Sequence, residues 1–463
     1  MSRWHEKQLA RLSSSVSSGT PAATVARSSM TAFAIFFVGS GLTYISQIVI
    51  ARIVGATSYG YYTYVLAWMT LLAYVSAFGF DVALLRFVSV YRAQNNTGLL
   101  LGIVRYAERW VVLAGGLLVA GGIAIVLAWR QQIEPELELT FLVGLPLIPI
   151  LALAWIRCAI LRAHGRVILP LVASLIVRDG ILIGLAIFVG VGLGRRLDAP
   201  LVMLALLIGA SAGLWLASLS KRRLGLRHTV DSAPTYDAAT WRRAALPLLV
   251  IGAVEVLMNR AGVLCLGWMG ETKNAGIFSL MFNVAFLVAI PRTALNTLFA
   301  PTVSSLFASQ DHKHLQELIG KTTVWSLGAA TLIGIGLLVV ANFLVAGFGS
   351  DFTAGLPALQ ILLVGQVVVA GAGSQLTIMT MTGHERGAAW LIVASATFNV
   401  VAMFVLARWF GMYGAALAAI FSMLVWNGLM ALFIWRRLRL LPGLISIFAR
   451  SDQPGVWWRR YAP

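Results

Sequence analysis

Residues 28–51 read SSMTAFAIFFVGSGLTYISQIVIA, with no charged side chain between Arg27 and Arg52. As a helix rising about 1.5 Å per residue, these 24 residues reach about 36 Å, more than the ~30 Å hydrocarbon core of a bilayer. A secretory leader has a shorter apolar core followed by a small-residue cleavage site, and neither is present. The run reads as a retained first span. Further apolar runs of spanning length lie at 60–85, 110–129, 139–161, 168–193, 199–220, 246–269, 274–299, 322–346, 356–381, 387–407 and 412–435, with the first placed at 30–51. They are continuous rather than alternating, which excludes a β-barrel. The expected fold is an all-α polytopic membrane protein with about 12 transmembrane helices. Composition agrees: 59% of residues are hydrophobic and 11% charged, against about 45–50% and about 25% in soluble domains. Mean hydropathy is +0.86.

The net charge of +18 sits in short loops, with no basic stripe and no nucleic-acid-binding motif, so a nucleic-acid partner is not expected. With the N-terminus inside, 25 Lys and Arg fall in inside segments and 6 in outside ones: Arg52, Arg130, Arg195, Arg196, Lys273 and Arg408. The positive-inside rule then places both termini in the cytoplasm. The acidic turn with Glu134, Glu136 and Glu138 falls outside and, beside Pro135, reads as an ordinary solvated turn.

The chain repeats itself. Gly55–Gly60 (GATSYG) links the first two spans and Gly270–Gly276 (GETKNAG) the seventh and eighth. Arg162-Ala163-His164 and Gly383-His384-Glu385 occupy matching turns, and Lys221-Arg222 matches Arg436-Arg437. An even number of helices separates the halves, so they share one orientation. The expected organisation is a cytoplasmic tail (1–29), an N-lobe of helices 1–6 (30–220), a cytoplasmic inter-lobe linker (221–245), a C-lobe of helices 7–12 (246–435) and a basic cytoplasmic tail (436–463). Two parallel six-helix lobes around a central cavity suit alternating access.

Nothing points to an enzyme. All six histidines lie outside the spans, and there is no Gly-rich phosphate loop for ATP. Cys158 and Cys265 both fall in spans and make no metal or disulfide framework. No metal or cofactor is expected.

Charges inside the spans are the site candidates, because a charge at mid-bilayer costs about 2.5–3.5 kcal/mol and faces a cavity or a partner by default. Arg178, with Asp179 beside it, and Arg260 lie near the middle of their spans; Arg292 lies deeper towards the cytoplasmic side, after Pro291, which is expected to kink its helix. Arg157 and Arg52 stand nearer span ends, where snorkelling is the simpler account. Structural pairing would join Arg178 to Glu255 and Asp179 to Arg260. Glu255 and Asn259 share a helix face, with Arg260 rotated about 100° from Asn259. Gly180 and Gly184 make a small-xxx-small pair, which reads as tight helix packing. Four intramembrane arginines against Asp81, Asp179 and Glu255, with Arg86 capping span two, give a slightly cationic interior suited to an anionic substrate. Asp179, Glu255 and Asp81 are the candidates for ion coupling or charge pairing.

Several motifs, in order over roughly 30–437, resemble the polysaccharide transport family, the O-antigen and exopolysaccharide flippases of the multidrug/oligosaccharidyl-lipid/polysaccharide (MOP) flippase superfamily. Ala51-Arg52-x-x-Gly55 with Tyr59-Gly60, Gly79 and Arg86 is similar to its first-to-second helix signature. Phe299-x-Pro301-x-x-Ser304-x-Leu306 follows helix eight. Phe348-Gly349-x-x-Phe352, then Leu359-x-Ile361-Leu362-x-x-Gly365-Gln366, leads into helix ten. Met381-Thr382-Gly383-His384-Glu385-Arg386 and Gly411-x-x-Gly414-Ala415-Ala416 complete the set. The resemblance implies a MATE-like fold. It also implies flipping of undecaprenyl-diphosphate-linked oligosaccharide to the outer leaflet of a bacterial inner membrane without ATP, for lipopolysaccharide or exopolysaccharide biosynthesis. Its partners would be the lipid-linked oligosaccharide, membrane lipid and the polysaccharide polymerase or export machinery. Arginines hold diphosphate oxygens bidentately, so Arg178, Arg260, Arg292, Arg52 and Arg86, with Asn259, form the expected substrate set. Three readings stay open beside it. A lipid II flippase tends to carry two further helices; a multidrug/cation antiporter would want an acid that the first span lacks; the last is a non-transporting scaffold of a glycan assembly complex.

Overall fold

The computed structural model describes residues 21–448 apart from 193, 195 and 223–232. Expectations for the N-terminal 20 residues, the middle of the linker and the end of the basic tail lie outside the described residues. The helices are α1 (Pro21–Val54), α2 (Ala56–Ala93), α3 (Thr97–Ala128), α4 (Pro135–Ala163), α5 (Ile168–Gly190), α6 (Ala199–Arg222), α7 (Ala238–Trp268), α8 (Thr272–Asn296, helical onward to Ala308), α9 (His312–Phe348) and α10 (Ser350–Met381). A final run, Glu385–Phe433, is two helices divided at Gly411, whose φ of 56° and ψ of −134° are not helical. These are α11 (385–410) and α12 (412–433). The protein is thus a multi-pass α-helical membrane protein, with twelve long apolar helices among the described residues.

Several helices begin one to almost four turns before the apolar runs that mark them. Caps explain it. The Asn96 side chain accepts from the Leu99 N–H, Asp237 from Thr240 and Asp311 from His314, so orphan donors are satisfied in polar sequence before the apolar stretch starts. The His314 N–H, and then its ring, hold the exposed Asp311 carboxyl below the usual carboxylate range. The same effect puts 238–245, expected as linker, inside α7.

Connections after odd-numbered helices gather on one face of the bundle. Tyr61 donates to Glu134, the Ala199 N–H donates to Glu136 at 2.9 Å, and Lys273 pairs with Asp351 at 3.8 Å. The acidic turn is therefore not a plain solvated turn. Glu134 ties it to α2, Glu136 holds the start of α6, and Glu138 faces Arg130 at 3.9 Å. Connections after even-numbered helices gather on the other face, where the Thr235 N–H donates to Gly98 at 3.0 Å and the Gln316 amide clasps the Leu441 backbone with two 2.9 Å bonds.

α8 is the central helix, with 67% of its apolar window buried against 17% for α3. On α9, Leu332, Val339 and Phe343 are at least 75% exposed, as side chains facing lipid should be. Contact between the first six helices and the last six runs mainly through α2. Tyr64 lies on Gly267, Tyr74 on Gly252, and Gly79 on the α7 backbone, where a Cβ would meet the Leu249 nitrogen at 2.6 Å and collide with the Ala245 carbonyl. At the odd face, α2 and α8 touch backbone to backbone: a Cβ on Gly276 would lie 2.6 Å from the Gly60 Cα, and one on Gly60 would collide with the Thr272 carbonyl. Gly60→Ala is expected to force the two halves apart there. The check is the spin-label distance between Gln131→Cys and Ser350→Cys, and an unchanged distance with an unchanged melting point would refute it.

Several spans are broken. α2 turns at Phe78 and Gly79, both left-handed (φ 53° and 74°). α5 carries a π-helical turn, Val172–Val177. α7 contains Pro247. α8 tightens to a 3₁₀ turn at Leu287–Ala289, immediately ahead of the Pro291 turn. Each break removes or reroutes i→i−4 bonds, and most lie within reach of the intramembrane charges.

Candidate functional site

The π-helical turn of α5 ends directly at Arg178, and such turns re-aim the side chains that follow. What fixes the α5 backbone is α6: a Cβ on Gly209 would lie 2.5 Å from the Arg178 carbonyl, and one on Gly213 2.6 Å from that of Ala173. The expected packing pair, Gly180 and Gly184, meets nothing within 4 Å. The close-packing glycines, Gly209 and Gly213, are on the neighbouring helix.

Arg178 and Asp179 pair with each other, Nε–Oδ1 2.6 Å and Nη2–Oδ2 3.0 Å. This corrects the expected cross-half pairs, Arg178 with Glu255 and Asp179 with Arg260. Adjacent side chains close a bidentate fork without bringing two helices together, and Thr43 of α1 donates to the same carboxylate. Asp179 is buried and the Arg178 side chain is 29% exposed.

Across from this pair, Tyr62 of α2 lies within electrostatic range of Asp179, Arg178 and Arg260; Arg260 lies in turn near Tyr59, Tyr62 and Arg178. Tyr59 and Tyr62 are three residues apart, so they share a helix face, and their rings sit 6.1 Å apart. The site thus draws on α1, α2, α5 and α7. Arg260, half-buried, makes no ion pair among the described residues. The phenols in electrostatic range of its guanidinium carry no charge to balance it. Glu255 and Asn259 are exposed on α7, with Glu255 in electrostatic range of Tyr74.

Arg292 is half-buried on α8 without an ion pair among the described residues, and one turn on, the Asn296 Oδ1 is buried with no hydrogen-bond partner. Closer to the odd face, Asn283 of α8 donates to Gln47 of α1 at 2.8 Å. Asp81 is 8% exposed, its Oδ1 without a partner, in the first turn after the α2 break. Arg52 and Arg86 are exposed, and among the described residues no hydrogen bond or ion pair links either to Arg178 or Arg260. Arg157 does not snorkel. It turns sideways to Glu108, Nε–Oε1 3.2 Å, and donates to Ser218, while Lys221 meets the same Glu108 oxygen at 2.7 Å. Among the described residues no three His, Cys, Asp or Glu side chains come together to hold a metal.

The sequence reading missed Thr43, Tyr59, Tyr62, Gln47 and Asn283. A usable signal was there for the tyrosines: Tyr59, Tyr61, Tyr62 and Tyr64 crowd six residues of α2.

Residues 25–307 match the family described as polysaccharide biosynthesis protein, more than half of the 463 residues, and the chain belongs to that family. Among solved structures it is similar to the inward-facing conformation of a multidrug resistance MATE family transporter of the MOP superfamily, with 14% identity, 92% of this chain and 99% of that chain covered, and a TM-score of 0.71. The outward-facing conformation of a multidrug resistance MATE family transporter gives 13%, 93%, 98% and 0.59. The lipid II flippase MurJ, in an inward closed conformation, gives 11%, 93%, 94% and 0.62. At such identities the likeness speaks for the fold alone. No curated protein sequence matches.

Proposed function

We propose that this chain is a flippase that carries undecaprenyl-diphosphate-linked oligosaccharide from the cytoplasmic to the outer leaflet of a bacterial inner membrane, by alternating access and without ATP hydrolysis. The observation that carries the reading is Arg260, a guanidinium inside the bundle, facing the phenols of the other half and without an acidic partner among the described residues. A diphosphate supplies the missing charge in a geometry that a planar fork holds with two bonds. Arg292, in the half of α8 nearer the even face, would meet the diphosphate on entry. Arg178, already held by Asp179, would shape the site rather than bind first. The Tyr59 and Tyr62 hydroxyls suit sugar or phosphate oxygens.

The family's description fits a role in polysaccharide production. The higher TM-score to an inward-facing than to an outward-facing transporter, 0.71 against 0.59, favours a conformation closed at the odd face. The Gly60–Thr272 and Gln47–Asn283 contacts agree with that. In cells lacking the protein, lipid-linked oligosaccharide should accumulate in the inner leaflet and polysaccharide export should stop. Export at the normal rate would refute the reading.

The direction requires the odd face outside, as the 25-to-6 charge count motivates. Single cysteines at Ser309 (even face) and Ser350 (odd face), both exposed, on a background lacking Cys158 and Cys265, should divide cleanly. An impermeant thiol reagent added to whole cells is expected to label Ser350→Cys and spare Ser309→Cys. The opposite pattern would invert the topology.

A further inference from the structure

Between α2, α7 and α11 runs an apolar slot that the site described above does not use. Its inner part, about 290 Å³, is lined by Trp68 and Leu71 of α2, Leu257 and Leu264 of α7, and Val400 and Met403 of α11. Trp268 and Phe404 carry it into an outer part of about 520 Å³, which ends at Arg408 and Trp409. Leu257 to Trp268 is eleven residues of helix, about 16 Å, or roughly half of the ~30 Å hydrocarbon core. The slot therefore spans one leaflet, from mid-bilayer to the odd-face rim.

Its two ends differ in kind. At the rim Arg408 is exposed and makes no ion pair among the described residues, with Trp268 and Trp409 exposed beside it. Tryptophan at the headgroup level with a cation between is the arrangement that holds an anionic lipid head. At the inner end, Leu257, Ala261 and Leu264 line the slot, and Arg260 lies between them in sequence at the margin of the same helical face. One chain lying in the slot can thus present its head to Arg408 at the rim or turn it inward towards Arg260.

We propose that this slot binds the isoprenoid chain of a diphosphate lipid, with Arg408 receiving the diphosphate at the odd-face rim. The proposal rests on the flippase reading and assigns the resting place of the lipid that reading requires. The occupant follows from charge and position. A groove open within the bilayer is filled by a lipid chain, and a planar guanidinium at its mouth favours a diphosphate over the single, diester-linked charge of a phospholipid.

The full chain in nanodiscs of phosphatidylethanolamine and phosphatidylglycerol tests this directly. A diazirine-bearing polyprenyl diphosphate without sugar, and a diazirine-bearing phosphatidylglycerol, are photolysed in turn, and the labelled residues are mapped by mass spectrometry. The prenyl probe is expected on 257–268 of α7 and 400–409 of α11. Arg408→Glu and Val400→Trp should each cut that labelling about tenfold, as a change of one good charge-assisted contact or loss of the slot would, while Arg408→Lys retains most of it. Arg408 is exposed and Val400 half-buried, and an unchanged melting point shows that each variant is folded. Equal labelling of the same residues by the phosphatidylglycerol probe, or prenyl labelling indifferent to both variants, would overturn the proposal. No transport is measured, so the two readings fail separately. Labelling of the slot beside normal export in cells lacking the protein would sink only the flippase reading; lost export without slot labelling would sink only the slot.

Discussion

Arg260→Gln should abolish polysaccharide export while leaving the protein abundant in the membrane. The guanidinium stands among Tyr59, Tyr62 and Arg178 without a carboxylate among the described residues, so its removal strands no buried acid. A structural ion pair would behave differently, because losing one partner costs about 3–5 kcal/mol through the charge left behind. Arg260→Lys keeps the charge but not the planar fork and should retain partial export. The loss for Gln should be at least about a hundredfold, the equivalent of two charge-assisted hydrogen bonds at ~1.5 kcal/mol each. Export and membrane abundance are measured side by side. Full export by an abundant Arg260→Gln variant would end the diphosphate reading, and parallel loss of both would make Arg260 structural. Arg178→Gln is expected to do more harm to abundance than Arg260→Gln, since it leaves Asp179 buried without its cation.

The span count and the intramembrane arginines were legible in sequence because both rest on composition over twenty or more residues. The partners of those arginines were not. Helical phase from the start of a span assumes an unbroken helix, and α5 passes through a π turn just before Arg178. A π turn changes the helical phase of everything after it, so the faces of Arg178, Asp179, Gly180 and Gly184 do not follow from the start of the span. Thr43 gave no signal either, since a hydroxyl in a span ordinarily returns its proton to the i−4 carbonyl, and the Gly39 carbonyl does lie 3.1 Å from Thr43 Oγ1. The ends of helices escaped for a different reason. Asn96, Asp237 and Asp311 extend helices through charged sequence, and a hydropathy window stops where the charges begin. Glu108 is the clearest case: it reads as loop yet lies three turns inside α3.

Glu108 is where the largest stability effect is expected. Its Oε1 accepts from Arg157 at 3.2 Å and Lys221 at 2.7 Å, joining α3, α4 and the end of α6. Glu108→Gln removes the negative charge that Arg157 and Lys221 share. Breaking a fully buried pair costs about 3–5 kcal/mol; because all three side chains are 20–23% exposed, roughly 2–4 kcal/mol is the fitting range here. The melting point in detergent should fall and membrane abundance with it. Adding Arg157→Gln should recover more than half of the loss, since one cation then remains and can reach the headgroup region by its flexible stem. That recovery separates charge imbalance from lost packing, because the double variant has fewer contacts than the single one. A Glu108→Gln protein as stable as the wild type would mean that Arg157 and Lys221 reach water or lipid phosphate on their own. A double variant worse than the single would mean that Arg157 holds α4 to α6 through Ser218, with Glu108 secondary.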